Sequence, residues 1–388
     1  MFSDFFPFFV VIASGLLFSE LFKRLHLPLV VALILAGFVI GPEGLGWVQQ
    51  TPILEFLGRI GIIFLMFIAG LEVRAASFWS NRASIAPLFI FNSLIPFLGG
   101  LAIALYFNYS GPAAILLGAI FLSSSGAVII PILEAKGLMH KKLGQTIVAG
   151  TILEDVTALV ILSLLLQVIT PVKDIPFLVF YGLVVLIIFS IKFLIPILKK
   201  FFRHHTRDGE SILFEEELRI VFTVLIGVVI LFELVGLHDI IASFFTGLLL
   251  SGVITTRTMK EKISAIGYSF FIPIFFVLVG TKLSLDFIYG GGNLTLILAV
   301  VAGSIFLKFI SGSLGALAGG FSKRESKVIG LATTAQIFTA LAISFTALEL
   351  GVFDQNLATA VIILSIVSTL FSSLLVDWLK VEGEAKVS

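Results

Sequence analysis

Long apolar runs separated by short polar joints set the pattern of this chain. A run of about 20 apolar residues, wound as a helix, spans the hydrocarbon core of a bilayer. Thirteen such runs occur, at roughly 4–22, 28–42, 52–72, 84–107, 112–134, 143–169, 176–200, 213–235, 238–254, 263–281, 293–320, 327–349 and 356–378. The second and ninth are short. The pattern predicts an all-α polytopic membrane protein of about 13 transmembrane helices. The longest polar joint, 201–212 (FFRHHTRDGESI), reads as a linker, and the tail VEGEAKVS is too short for an attached domain. The first run lacks a basic leader and a small-residue cleavage site, so it reads as a retained helix.

Positive charge alternates along the joints. Lysine and arginine follow the first run (Lys23, Arg24), the third (Arg74, Arg82) and the fifth (Lys136, Lys141, Lys142). They return after the seventh (Lys199, Lys200, Arg203, Arg207), the ninth (Arg257, Lys260, Lys262) and the eleventh (Lys323, Arg324, Lys327). The even joints carry only Lys173 and Lys282. Because basic residues mark cytoplasmic loops, the N-terminus is expected outside and the C-terminus in the cytoplasm.

Composition agrees with this pattern. The 388 residues are 59% hydrophobic and 13% charged, against about 25% charged in soluble domains. Without cysteine there are no disulfides or thiolate metal sites. No cofactor, no nucleic-acid partner and no resident metal is expected. The expected partner is the lipid bilayer, that of a prokaryotic inner membrane.

The two halves repeat. LAGFVIGP around Gly37 parallels FTGLLLSG around Gly247, and FLMFIAGLEV around Gly70 parallels FFVLVGTKL around Gly280. LSSSGAVI at Ser123–Ser125 parallels ATTAQIFT at Thr333–Ala335. All three pairs are offset by 210 residues. Seven runs separate each segment from its copy. That number is odd, so the copies, roughly 4–170 and 213–380, take opposite orientations. Inverted repeats of this kind mark secondary transporters, with the site near the midplane.

Chemistry concentrates in four runs. The fifth is polar at its centre, with Ser123, Ser124, Ser125 and Gly126 ahead of Pro131, and the twelfth carries Thr333, Thr334 and Gln336 at the matching place. Breaks at these points are expected, because freed backbone groups are tolerated at membrane depth only inside protein or beside a water-filled cavity. In the sixth run, TILEDVTALVIL, Glu154 and Asp155 stand together beside Thr151. Asp155 lies thirteen residues from Lys142, about 20 Å along a helix and so near mid-membrane. An ionisable group there costs at least about 2.5–3.5 kcal/mol by insertion scales, which makes it functional by default. Lys308 in the eleventh run is equally deep, and pairing with Asp155 is the expected way to satisfy it. Arg59, Glu72, Lys192, Glu233 and Glu349 lie nearer the ends of their runs, and the five histidines lack metal-ligand spacing.

FLMFIAGLEV, FLSSSGAVIIPIL, the acid pair of TILEDVTALVIL, IPIFFVLVGTKL and Lys308 together resemble the monovalent cation:proton antiporter superfamily. The nearer branch is its second family, which holds NapA-type sodium/proton and Kef-type potassium/proton antiporters. The resemblance spans about 10–378. It implies an NhaA-like inverted-repeat fold with two crossing discontinuous helices and a homodimer. A dimerisation panel would be formed by 1–50 and 208–255, and a moving core by 52–170 and 262–380, with 171–207 as linker helix and loop. It also implies that Asp155 carries the ion, that Lys308 is the basic partner, and that the fifth and twelfth runs cross. Glu154 departs from the Asp, Asn or Gln usual at its position.

The expected activity is exchange of Na+, K+ or Li+ for protons, with Asp155, Glu154 and Lys308 binding ion and proton. Ser123, Ser124, Ser125, Thr333, Thr334 and Gln336 are expected as ligands at the breaks, supported by Thr151 and Gly126. The alternatives are a Kef-type K+/H+ antiporter and a sodium-coupled organic-solute symporter. An intramembrane aspartyl protease needs aspartates on two helices, and a lysine at the bottleneck argues against a cation channel, so no enzyme is expected.

Overall fold

In the computed structural model, residues 2–24, 28–49, 51–72, 81–139, 141–169, 182, 213–235, 238–254, 256–284 and 293–378 are described. Every regular element among them is helical. Twelve of the thirteen apolar runs fall on these helices. The seventh, 176–200, and the 201–212 linker lie almost wholly outside the described residues, as do His26, His140, His204 and His205.

The helices are α1 (Phe2–Arg24), α2 (Leu29–Ile40), α3 (Pro52–Glu72), α4 (Arg82–Tyr106), α5 (Gly111–Leu122), α6 (Gly126–Ala135) and α7 (Lys142–Ile169). The second half holds α8 (Leu213–Val235), α9 (Asp239–Leu250), α10 (Arg257–Ile266), α11 (Ile272–Thr281), α12 (Leu294–Ala318), α13 (Lys323–Ala332), α14 (Phe338–Glu349) and α15 (Gln355–Trp378). Gly267–Phe271 joins α10 to α11 as one π-helical turn, so the tenth run crosses continuously.

Local chemistry sets several of the ends. Ser110 caps α5 by accepting from the Ala113 amide, with Pro112 in the first turn. Asn293 caps α12 through the Leu296 amide. Ser322 and Glu325 form a reciprocal capping box on α13, which satisfies two amides the helix leaves open. The two predicted breaks are present. Ser123 takes extended backbone at φ −67°, ψ 152°, and Ser125 follows at φ −87°, ψ 99°. In the twelfth run the chain leaves helix at Thr333 and resumes at Phe338.

Seven described helices are long and apolar enough to cross a membrane. The halves of the broken runs are shorter. Each 12-residue piece such as α5 is about 18 Å long, well short of the roughly 30 Å core. The long helices turn large apolar side chains outward, with Phe5 on α1 and Tyr106 on α4 largely exposed, as lipid-facing surfaces do.

The chain divides into two compact units. One comprises Met1–Thr51, Ala75–Leu162 and Phe276–Ser388, the other Pro52–Arg74 and Ser163–Phe275. In the first, α4 packs on α5 and α12, α12 on α13 and α15, and α14 on α5 and α15. An apolar cluster including Leu88, Ile129, Leu133, Ile147, Ala316 and Ile329 ties α4, α6, α7, α12 and α13 together. In the second, α9 packs on α3 and α8.

The repeat is legible at single atoms. A Cβ on Gly37 would lie 1.8 Å from the Val277 carbonyl oxygen, and one on Gly280 2.0 Å from that of Ile34. In the other unit, a Cβ on Gly247 would lie 2.1 Å from the Phe67 oxygen, and one on Gly70 2.2 Å from that of Phe244. Adding 210 to residues 34, 37, 67 and 70 gives 244, 247, 277 and 280. Each contact is therefore the other with the two copies exchanged, as inverted repeats require. Gly280→Ala is expected to destabilise the protein by about 1–3 kcal/mol, because backbone at that distance cannot yield. Gly227→Ala on α8, where a Cβ meets nothing within 4 Å, should be neutral or slightly stabilising. Thermal unfolding in detergent reads both.

Candidate functional site

The two breaks are braced together within the first unit. The Ser125 amide donates to the Ala335 carbonyl at 2.7 Å, and the Ser124 hydroxyl donates to the Thr333 carbonyl at 2.9 Å. Gln336 donates through Nε2 to the Phe121 carbonyl at 2.8 Å and accepts from the Ser304 hydroxyl at 2.7 Å. Its amide reaches the Ser368 hydroxyl at 3.2 Å. These bonds satisfy backbone that neither half-helix satisfies itself, which is the condition for a break at membrane depth.

The predicted hydroxyls divide into committed and open groups. Ser123 donates to the Ile120 carbonyl at 2.9 Å, Thr333 to that of Gly330 at 3.1 Å and Thr334 to that of Leu331 at 2.7 Å. These three bonds stay within their own half-helices, so Ser124 and Gln336 are the side chains that bridge the two breaks. Ser125 is different: its Oγ is buried and without a hydrogen-bond partner. A Cβ on the next residue, Gly126, would lie 3.5 Å from Thr151 Oγ1, which seats the start of α6 on α7. Thr151 and Asp155, four apart, share one face of α7.

Lys308 is paired, but not as the sequence suggested. Its Nζ lies 2.9 Å from Glu154 Oε2, and both side chains are 0% exposed. The ammonium also donates to the carbonyls of Leu122 at 2.8 Å and Asn92 at 3.2 Å. The expected Asp155 pairing is thereby replaced by a Glu154 pairing. Neighbouring helical residues point about 100° apart, so one ammonium engages one of the two acids closely. Glu154, longer by a methylene, is the one turned toward Lys308 on α12 and Asn92 on α4. Its second oxygen, Oε1, accepts from Asn92 Nδ2 at 2.8 Å, and Asn92 Oδ1 accepts from Ser311 at 2.8 Å.

Asp155 faces the other way, toward Thr339 in the first turn of α14. Its Oδ1 is shielded and has no hydrogen-bond partner. The half-helix ends match these charges. Lys308 sits at the C-terminal carbonyls of α5, and Asp155 lies by the N-terminus of α14, each complementary to the helix dipole it meets.

Asn92, Thr339 and Ser368 were not legible as site residues in the sequence. Asn92 had a signal, since it is a lone amide in the apolar stretch FIFNSLIPF. Ser368 and Thr339 had none, because small hydroxyl residues are common wherever membrane helices pack closely. In the second unit, Arg59 binds Glu233 and Asp239, each at 3.0 Å, and His238 lies 2.5 Å from Asp239. Arg59 and Glu233 are thus held in a charge cluster at the helix ends, and Asp239 is its buried member.

The family described as sodium/hydrogen exchanger, transmembrane, matches residues 9–381. A relative from Methanocaldococcus jannaschii, named "Probable Na(+)/H(+) antiporter 3", is 29% identical over 384 residues, covering 96% of each chain. The Na(+)/H(+)-K(+) antiporter GerN of Bacillus cereus is 27% identical over 96% of this chain and 95% of its own. Among solved structures, the sodium proton antiporter MjNhaP1 from Methanocaldococcus jannaschii at pH 8 superposes with a TM-score of 0.68 at 20% identity. That match covers 95% of this chain and 94% of the other, and it shares the fold. The chain is an integral membrane protein that belongs to the transmembrane sodium/hydrogen exchanger family.

Proposed function

We propose that this protein exchanges Na+ for protons by alternating access, with the Asp155 carboxylate holding either the cation or a proton. One observation carries the reading. Of the two acids at the crossing, Glu154 has both oxygens engaged, whereas Asp155 keeps a buried oxygen without a partner. A hard monovalent cation takes oxygen ligands in place of its water shell. Asp155 Oδ1 and the uncommitted Ser125 hydroxyl are the oxygens offered. Proton and cation compete for one carboxylate, which couples their flows.

The names of the relatives support Na+ as substrate, and that of GerN supports K+ as a second one. The charge alternation supports an external N-terminus and a cytoplasmic C-terminus in a prokaryotic inner membrane. The homodimer, with 1–50 and 208–255 as its panel and 52–170 and 262–380 as the moving core, belongs to the same proposal.

Proteoliposomes loaded with a pH dye test it. After an imposed pH gradient, Na+ or Li+ added outside is expected to dissipate the gradient, with K+ giving a smaller or equal response. A gradient that none of the three cations alters contradicts the reading.

A further inference from the structure

The Glu154–Lys308 pair is closed on every side that can be counted. All three ammonium protons have acceptors: Glu154 Oε2 and the carbonyls of Leu122 and Asn92. Both carboxylate oxygens have donors, Lys308 Nζ and Asn92 Nδ2. Among the described residues, Asn92 hydrogen-bonds to both charges. It gives its carbonyl to the ammonium and its amide NH2 to the carboxylate. Its own position is held by Ser311, which donates to Oδ1, and Gly312 leaves room for that oxygen, since a Cβ there would lie 3.2 Å from it.

A cation that displaced Lys308 from Glu154 would have to break this whole set. One that binds Asp155 breaks none of it. We propose that Asn92 is a positioning residue that keeps the Glu154–Lys308 pair closed through the transport cycle. Asp155 is then the only exchanging charge, and one proton moves for each monovalent cation. The inference rests on the antiport reading above and gives it a stoichiometry. Each cation that binds Asp155 replaces one proton released from it, so no net charge crosses the membrane. If Asn92 lets go, Glu154 loses a donor and the pair loosens. Lys308 is then free to release a second proton as the cation arrives, and each turnover carries one net charge.

The test is uptake of radiolabelled Na+ driven by a fixed pH gradient, with the membrane potential clamped at zero or at about 100 mV. For an exchanger moving one net charge, about 100 mV shifts the final Na+ ratio roughly fiftyfold. For the one-to-one exchanger it shifts nothing. The wild type is expected to be insensitive to voltage, and Asn92→Leu to become voltage-dependent. Ser311→Ala, which unties Asn92 Oδ1 and gives up a longer bond to the Lys308 backbone carbonyl while leaving every contact of the ammonium in place, is expected to do the same more weakly, and it decides the matter if Asn92→Leu does not fold. Voltage-dependent wild-type exchange overturns this inference and leaves the antiport reading standing. Active variants that stay insensitive overturn the role of Asn92. A wild type that exchanges nothing overturns both readings.

Discussion

Asp155→Asn is expected to reduce cation-driven proton movement by at least about 100-fold without lowering the unfolding temperature. The amide has the carboxylate's size, so packing is preserved. What is lost is the negative charge and the exchangeable proton. Charge-assisted interactions contribute about 1.5–3 kcal/mol each, and about 1.4 kcal/mol is tenfold, so losing one such ion contact accounts for about ten- to hundredfold, and the missing exchangeable proton for the rest. Stability should hold or rise, because the wild-type Oδ1 is already buried without a partner and a neutral amide is cheaper to keep there. The dye assay reads the first quantity and thermal unfolding the second. A matching fall in both would make Asp155 a structural residue.

Lys308→Leu is expected to have the opposite profile, with a large loss of stability of about 3–5 kcal/mol. Removing one member of a buried ion pair leaves the other charge uncompensated, and both members here are fully buried. It also strips the Leu122 and Asn92 carbonyls of a donor. The double variant Glu154→Gln with Lys308→Leu is expected to recover much of the loss, because a neutral pair has no charge to desolvate. A double variant no more stable than Lys308→Leu would show that the ammonium acts through the two carbonyls instead. The coupling is read as a double-mutant cycle.

The sequence showed what depends on residue type and order. Long apolar runs mark spans because lipid accepts little else, and the twelve runs within the described residues coincide with helices. The breaks were legible because Ser123–Gly126 disrupts an apolar helix. The offset of 210 then located the second break at Thr333, where no glycine or proline interrupts. Partnerships across the fold were not legible. Lys308 meets an acid 154 residues away, and the choice between two adjacent carboxylates depends on rotation about α7 and on side-chain length. The split of the hydroxyls had the same cause. Ser124 and Ser125 are alike in sequence, but one hydroxyl meets a carbonyl across the crossing and the other meets nothing. The π turn at Gly267–Phe271 was also missed, since it keeps the apolar run unbroken.

One carboxylate, that of Asp155, is proposed to bind the cation or the proton and never both. Counting protons released as Na+ binds to the purified protein tests it most directly. The count comes from calorimetry in two buffers of different ionisation enthalpy, at the pH of half-maximal exchange. Proton release on Na+ binding is expected from the wild type, and neither binding nor release from Asp155→Asn. Na+ binding without proton release, or the same release from Asp155→Asn, would contradict it.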